Sequence, residues 1–145
     1  MLSEKKAMLH DAGDGVLVGV SPTGHAITIE TDGKRNRAPS PMELLLLGVG
    51  GCTAADVISI LGKMREQVTA YRVEIRSERR EEHPRSYKRI EIRHILTGRN
   101  LSEKNVAHAI ELSDTKYCGA SASLRPTAEI VTSYEIVEDP GTAGS

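Results

Sequence analysis

The chain has 145 residues, a formal net charge of -1, four tyrosines and neither tryptophan nor phenylalanine. This length suits one domain with a substantial core, and the composition requires that core to be aliphatic. The near-neutral charge and the scarcity of aromatic residues argue against nucleic acid or an anionic membrane as a partner. The first residues contain no apolar run of the signal-peptide type. We therefore expect a cytoplasmic protein whose thiols are mostly reduced.

Residues 7–31 predict an antiparallel β-meander. Two turn signals, residues 12–15 and residues 21–24, divide this stretch, and alternating apolar residues follow each of them. Such a pattern is typical of about three short strands joined by tight turns. Residues 32–39 are polar, basic and rich in turn formers, so they predict a loop.

Residues 40–65 predict a long central helix. Ser40 suits the N-cap and Pro41 the first helical position, and the Glu43 carboxylate can reach back to the Ser40 N–H to complete a capping box. The apolar residues that follow leave no wide polar stripe, which predicts a helix buried on most sides. Glu43 and Asp56 bracket an apolar window of about 12 residues, short of the roughly 20 needed for a membrane span. We therefore expect no membrane span.

The second half of the chain alternates with a period of two and then returns to helical spacing. Residues 68–98 predict a pair of long strands, residues 101–115 a shorter helix with Ser102 as its N-cap, and residues 126–137 a last strand. Residues 138–145 predict a frayed tail. This order of elements predicts a single α+β domain over residues 1–145, with antiparallel sheets packed around the long helix.

The chain has two cysteines, Cys52 in the predicted central helix and Cys118 in a stretch of small residues after the second helix. Free cysteines often serve as packing residues. In a reducing compartment a disulfide between the two would be a transient, redox-active bond rather than a permanent structural one. The sequence shows no CxxC motif, no metal-ligand spacing and no phosphate-binding loop, and its five histidines are scattered. We therefore expect no bound metal and no cofactor.

The residues around both cysteines resemble those of a known family. Residues 40–44 (SPMEL), residues 48–52 (GVGGC) and residues 117–121 (YCGAS), separated by the predicted strands and second helix, resemble the OsmC/Ohr family of osmotically inducible and organic-hydroperoxide-resistance proteins. The match is closest to the OsmC-like branch typified by the YhfA proteins. The resemblance covers nearly the whole chain. It implies an intertwined homodimer with central long helices and active sites at the subunit interface.

The resemblance also implies a chemistry for the two thiols. In active members the helix cysteine attacks the peroxide and the later cysteine resolves the product, so Cys52 would be the peroxidatic thiol and Cys118 the resolving one. The Cys52 thiolate would become a sulfenic acid and then a disulfide with Cys118, which an external dithiol must reduce. The resemblance therefore implies a peroxidase for organic hydroperoxides that acts in oxidative-stress defence. An aliphatic pocket would favour alkyl hydroperoxides.

The sequence offers two candidates for assisting residues. In the hydroperoxidases an arginine from the N-terminal strands, held by a glutamate, assists the cysteine, whereas residues 7–31 here contain no arginine or lysine. Met42 takes the position of that glutamate and Glu43 follows it. Glu43 lies about 13 Å of helical rise from Cys52 in the same chain. It can therefore assist only a Cys52 of the partner subunit, and otherwise serves as a helix cap.

Three cations lie close before the helix, Lys34, Arg35 and Arg37. We hypothesise that one of them, Arg37 first, folds over a Cys52 and replaces the missing strand arginine. The alternative is an ordinary solvated loop. Two other functions also remain open. One is a non-catalytic dimer of the same fold that senses redox state or binds a small ligand, and the other is a protein whose cysteines only pack.

Overall fold

The computed structural model describes residues 4–141, in which three strands, a long helix, two strands, two short helices and a last strand follow one another. The predicted α+β class is confirmed. By its internal contacts the chain divides into two compact units, one ending at Leu47 and the other beginning at Gly48. The single domain over residues 1–145 stays a prediction.

The first unit contains a three-stranded antiparallel sheet. Its strands are β1 (Met8–Gly13), β2 (Val16–Val20) and β3 (Ala26–Glu30), with β2 in the centre. Asp14 and Gly15 turn the chain between β1 and β2, both with positive φ. This is the backbone geometry that tight hairpins require. The meander over residues 7–31 was therefore a sound prediction in both strand number and direction.

The long helix α1 (Pro41–Lys63) begins with the predicted capping box. The Ser40 N–H donates to Glu43 Oε1 at 2.9 Å, and the Glu43 N–H donates to Ser40 Oγ at 3.2 Å. Two backbone donors that a helix start leaves free are thus satisfied by side chains. The capping box is confirmed.

The surface of α1 differs from the prediction. One stripe is buried, formed by Val49, Gly50, Thr53, Val57 and Leu61. Elsewhere on the helix Leu45, Leu47 and Ile58 are 44%, 60% and 60% exposed. The prediction of a helix buried on most sides is therefore wrong for a single chain, because an all-apolar helix can also keep part of its surface for another partner.

By length and composition α1 is also apolar enough to cross a membrane. The sequence estimate counted only the residues between Glu43 and Asp56, whereas the helix continues on both sides of them. The core helix of a water-soluble protein passes the same test. This property of α1 therefore carries no conclusion about location.

The second unit is built on a mixed sheet. Its strands are β4 (Val68–Arg79), β5 (Tyr87–Gly98) and β6 (Glu129–Glu138), with β5 in the centre. β4 and β5 are antiparallel as predicted, but β6 runs parallel to β5, so the antiparallel prediction is wrong for this strand. The reason is the connection, because a parallel neighbour needs a long crossover, and residues 99–128 provide one with helices.

That crossover contains more structure than the predicted helix over residues 101–115. Helix α2 (Glu103–Leu112) continues into a π-helical turn, Ser113–Tyr117, and a further short helix, α3 (Gly119–Leu124), follows Cys118. Ser102 caps α2 as predicted, since its Oγ accepts the Asn105 N–H at 3.2 Å. Helix α3 was not predicted. Of the expected tail, residues 142–145 lie outside the described part of the chain.

The core of the second unit joins α1, β5 and α2. Its buried members are Val57, Leu61, Leu96, Val106, Ala109 and Ile110. Near the middle of α1 the helix lies close to β4, because a Cβ on Gly50 would stand only 2.6 Å from Ile75 Cδ1. A glycine permits this close approach of helix and strand. Gly50 lies two positions before Cys52 on the same helix.

Candidate functional site

The structure brings the two cysteines together. Cys52 lies in the middle of α1 and is half-buried, whereas Cys118 lies between the π-helical turn and α3 and is 4% exposed. The two Sγ atoms and a carboxylate oxygen of Asp56 all lie within 4.8 Å of one another. Two cysteines that are 66 positions apart in the sequence thus lie in one cluster. We call Cys52, Asp56 and Cys118 the thiol cluster.

Asp56 belongs to the cluster because it stands one helical turn after Cys52. Residues at i and i+4 of a helix project from the same face. The sequence shows this spacing, but it gives no measure of how close the carboxylate comes to the sulfurs. In the structure it is close to both of them.

Backbone and serine groups hold Cys118 in place. Its N–H donates to the Ser113 carbonyl at 2.8 Å, which closes the π-helical turn. Its Sγ accepts hydrogen bonds from the Ser121 N–H at 3.4 Å and from the Ser121 hydroxyl at 3.1 Å. The cysteine therefore acts as the N-cap of α3, a role that serine or threonine usually takes.

Burial raises the pKa of the Cys118 thiol above its ordinary value, and the two hydrogen bonds from Ser121 oppose that shift. Nearby Cys52 contributes a further, smaller increase. Removal of a sulfur from water disfavours the charged thiolate, while donors stabilise it. Cys118 is consequently a protected thiol that stays protonated at neutral pH.

Two buried hydroxyls connect α1 to the π-helical turn. Thr53 Oγ1 and Ser113 Oγ are 2.8 Å apart, and Ser113 Oγ donates to Asp56 Oδ2 at 3.0 Å. Since an ionised carboxylate only accepts, the Ser113 proton points to Asp56 and Thr53 donates to Ser113. Ser113 is fully buried and Thr53 is 4% exposed. This chain of hydrogen bonds fixes the orientation of the Asp56 carboxylate.

Within residues 4–141, no lysine, arginine or histidine lies within ion-pair distance of Asp56. Among the described residues the neutral Ser113 hydroxyl donates to this carboxylate, and no cation pairs with it. Such an arrangement is weaker than a salt bridge and leaves the charge available to an incoming cation.

A cavity of about 420 Å³ opens beside Asp56. It is lined by Asp56, Ser59, Ile60, Lys63, Met64, Leu112 and Tyr117. Its walls mix aliphatic side chains with a few polar groups, as small-molecule sites usually do. An alkyl ligand in this cavity would lie next to the thiol cluster.

A second buried polar pair lies on the sheet of the same unit. The Tyr71 hydroxyl and His94 Nδ1 are 2.7 Å apart, and burial lowers the pKa of His94 to about 4. Burial also raises the pKa of Tyr71 above its ordinary range. At neutral pH the imidazole is uncharged and its Nδ1 accepts from the tyrosine. The scattered histidines gave no sign of this pair, in which Nδ1 is satisfied by Tyr71 but the buried Nε2 has no hydrogen-bond partner among the described residues.

Arg37 lies in a separate charged cluster in the first unit. Its Nε and Nη2 donate to the two carboxylate oxygens of Glu30, each at 2.9 Å, and Nη2 also donates to the Asp14 carbonyl at 2.8 Å. This bidentate pair lowers the pKa of Glu30 to about 2. Arg35 pairs with Asp14 and with Asp32. The hypothesised contact of Arg37 with a Cys52 stays a prediction.

Glu43 is engaged by Ser40 in the capping box, and hydrogen bonds from Ser40 lower the pKa of its carboxyl group. A carboxylate that already accepts from its own helix start is well placed as a cap. The further role of Glu43 at the thiol of a partner subunit stays a prediction.

Sequence reasoning missed three members of the site, Thr53, Ser113 and Ser121. Each is a small polar residue that folding buries, and none belongs to a motif with its own chemistry. A local pattern could have pointed to Ser121, because Cys118 and the residue three positions later have the spacing of an N-cap and its first-turn partner. Nothing local points to Thr53 or Ser113, which meet only through the tertiary fold.

Comparisons with known proteins agree with this architecture. Protein YhfA of Escherichia coli (strain K12) is 44% identical over 120 residues, which are 83% of this chain and 89% of that protein. A crystal structure of a hypothetical protein from Aquifex aeolicus VF5 is 30% identical, with a TM-score of 0.84 over 95% of this chain and 99% of that one. The organic hydroperoxide resistance protein OhrB of Bacillus subtilis is 12% identical, with a TM-score of 0.62 over 93% of this chain and 100% of that one.

At 12% identity the likeness to OhrB shows a shared fold and no more. A sequence model of the family described as OsmC-like protein matches residues 31–133, which include both cysteines and Asp56. With a fold match over nearly the whole chain and a relative at 44% identity, the chain belongs to the OsmC-like protein family.

Proposed function

We propose that this protein is a thiol-dependent peroxidase that reduces organic hydroperoxides, with Cys52 as the attacking thiol and Cys118 as the resolving thiol. The observation that carries the proposal is the approach of the two Sγ atoms to within 4.8 Å. A separation of this size requires only side-chain rotation and a small backbone shift before a disulfide of about 2.05 Å can form.

The different exposure of the two sulfurs supports this assignment of roles. Cys52 is half-buried on the helix surface, so a peroxide can reach it, whereas Cys118 is 4% exposed and held by Ser121. A resolving thiol has to reach only its partner sulfur. The cavity beside Asp56 provides an aliphatic wall for the alkyl part of the substrate.

The reaction proceeds in two steps that balance. The Cys52 thiolate attacks the outer oxygen of ROOH, the O–O bond breaks, and the alkoxide takes a proton and leaves as ROH. The Cys118 sulfur then attacks the Cys52 sulfenic acid, a disulfide forms and water leaves. An external dithiol reduces the disulfide and returns both thiols, so no bound cofactor takes part.

The same proposal includes a homodimer in the cytoplasm. The exposed Leu45, Leu47 and Ile58 on α1 supply an apolar surface of the kind that subunit interfaces cover. In such a dimer Glu43 and Arg37 would act on the Cys52 of the partner subunit. Neither role is needed for the thiol pair itself.

The test is a free-thiol count and an intact mass after one equivalent of cumene hydroperoxide is added to reduced protein. We expect loss of both thiols and a mass decrease of about 2 Da, and a trapped sulfenic acid on Cys52 in the Cys118→Ser variant. Cumyl alcohol is the control ligand, because it has the same bulk and no O–O bond.

Turnover distinguishes the enzyme from its main rival. With dithiothreitol present, a peroxidase consumes many equivalents of cumene hydroperoxide, and Cys52→Ser abolishes this consumption. A redox sensor of the same fold would form one disulfide and stop. Survival of both thiols after peroxide treatment would contradict the proposal and leave the cysteines as packing residues.

A further inference from the structure

We infer that the reduced thiol cluster is a zinc site, with Cys52 Sγ, Cys118 Sγ and a carboxylate oxygen of Asp56 as its three protein ligands. The inference goes beyond the peroxidase proposal, since it needs neither a peroxide nor turnover. It also replaces the expectation of no metal, which rested on ligand spacing along the sequence. The fold brings the three ligand atoms close together, which the positions of their residues along the sequence do not show.

The distances fit a tetrahedral cation. The three ligand atoms lie within 4.8 Å of one another. Zinc bonds of about 2.3 Å to sulfur and about 2.0 Å to oxygen place neighbouring ligand atoms roughly 3.5–3.8 Å apart. Contraction by about 1 Å is within the reach of side-chain rotation on two ordered elements. Cys52 and Asp56 come from one face of α1, and Cys118 approaches from the start of α3.

The donor set selects the metal. Two thiolates and one carboxylate suit zinc and other soft divalent ions, whereas magnesium and calcium prefer oxygen ligands alone. Three protein ligands leave a fourth position for water, as in zinc sites that exchange ligands. Cys52 is half-buried, so water can reach the cluster to supply that fourth ligand.

Charge and hydrogen bonding favour a cation in the same place. In the part of the chain that the structure describes, Asp56 has no ion-pair partner. A divalent ion would be attracted by this carboxylate and would displace the thiol protons of Cys52 and Cys118 as it binds. Ser113 donates to Asp56 Oδ2 and Ser121 donates to Cys118 Sγ, and both serines are 0% and 1% exposed respectively. Such outer donors orient metal ligands in known sites.

Zinc binding and disulfide formation exclude each other, because both use the same two sulfurs. The oxidation step rests on the peroxidase proposal. One organic hydroperoxide and two protons would convert the zinc dithiolate into the disulfide, one alcohol, one water and free zinc. The two electrons come from the sulfurs and go to the O–O bond. Zinc would thus protect the reduced pair, and oxidation would release the metal.

The experiment is an anaerobic titration of reduced, metal-free protein with cobalt(II), followed by displacement with zinc. We expect one cobalt per chain, tetrahedral d–d bands and a sulfur-to-cobalt charge-transfer band that zinc abolishes. Asp56→Asn should weaken cobalt affinity at least about tenfold, and Ser113→Ala about 10–100-fold through the loss of carboxylate orientation. Glu111→Gln removes an exposed acid of α2 and should leave affinity unchanged.

Thermal unfolding of each variant without metal verifies that it is folded before its affinity is compared. Protein oxidised by diamide should bind no cobalt. Absence of the charge-transfer band in reduced wild-type protein, or unchanged affinity in Asp56→Asn, would overturn the inference. The titration contains no peroxide and the turnover assay is run with a chelator, so failure of one proposal is distinguishable from failure of the other.

Discussion

The Arg37 region of the first unit and the thiol cluster of the second hold a carboxylate in opposite ways. Glu30, 4% exposed, is held by a bidentate guanidinium, and its carboxyl pKa falls to about 2. Asp56 receives a neutral hydroxyl from Ser113. A fixed counter-ion commits a site to one charge state. A neutral donor orients a carboxylate without neutralising it. The carboxylate can then still interact with a proton, a metal ion or a thiol that reacts beside it.

Arg37→Gln should produce the largest change, because it removes the counter-ion on which the contrast depends. We expect the Glu30 pKa to rise from about 2 toward its ordinary value of 4.5. A lowered folded-state pKa stabilises the protein above the ordinary value and loses that contribution as pH falls. Acid unfolding of the variant should therefore begin at higher pH. Carbon-detected NMR titration of the Glu30 carboxyl group measures the shift.

Arg35→Gln is the matched control, since Arg35 pairs with Asp14 and Asp32 rather than with Glu30. Its Glu30 pKa should stay near that of the native chain. A Glu30 pKa that remains about 2 in Arg37→Gln would show that burial and backbone donors, rather than the guanidinium, set the charge of this acid.

His94 makes the stability of the second unit depend on pH over a range of its own. Its folded-state pKa is about 4, lowered by burial from 6.5, so the neutral imidazole stabilises the protein above pH 6.5. This contribution is lost as pH falls toward 4, by about 3 kcal/mol for a shift of this size. The pH range over which His94 affects stability lies above the range over which Glu30 does. One pH titration of stability can therefore distinguish the two regions.

Replacement of His94 by glutamine should flatten the fall in unfolding free energy between about pH 6.5 and about pH 4. Urea unfolding at several pH values measures this slope, which stays informative even where the variant is less stable throughout. His108→Gln, at an exposed position of α2, should keep the native slope. The same slope in native protein and His94→Gln would contradict the assignment.

Ser113→Ala tests the neutral donor of Asp56. The substitution leaves the half-buried Asp56 carboxylate and the buried Thr53 hydroxyl without their shared partner. We expect a loss of about 1–3 kcal/mol in unfolding free energy, the usual cost of an unsatisfied buried group. Ser123→Ala removes an exposed hydroxyl that bonds the Gly119 carbonyl, and it should change stability little. Equal losses of unfolding free energy in the two variants would contradict the stabilising role of the Ser113 hydrogen bonds.

Local pattern was enough for most of the fold. The capping box at Ser40, the two turn signals of the meander and the period-two strands are each encoded within a few residues. The direction of β6 was not, because it depends on how residues 99–128 cross the sheet. The exposed side of α1 was also missed, since the apolar composition of a helix does not say which molecule covers it.

The site divided in the same way. Cys52 and Cys118 were singled out from the sequence because a thiol carries its chemistry wherever it lies. Asp56 was visible as an i+4 neighbour, but its distance from Cys118 depends on a contact across 62 positions. Ser113 and Ser121 become informative only after folding buries them. Their residue type alone is common on every protein surface.

Ser121→Ala should have the smallest effect, because the backbone N–H of residue 121 continues to donate to Cys118 Sγ. Loss of the hydroxyl donor should raise the Cys118 pKa further, because one of the two hydrogen bonds that stabilise the thiolate is removed. The pH dependence of alkylation in a Cys52→Ser background measures it, with Ser123→Ala as the control. A raised folded-state pKa gives stability that is lost as pH rises, so the variant should also unfold more readily in alkali. In Ser121→Ala with Cys52 intact, we expect peroxide attack at Cys52 to be unchanged and disulfide formation to slow. That result would show that a neutral hydroxyl shifts the pKa of Cys118 only slightly, whereas Arg37 shifts the pKa of Glu30 strongly. An unchanged Cys118 pKa would mean that burial alone governs this thiol.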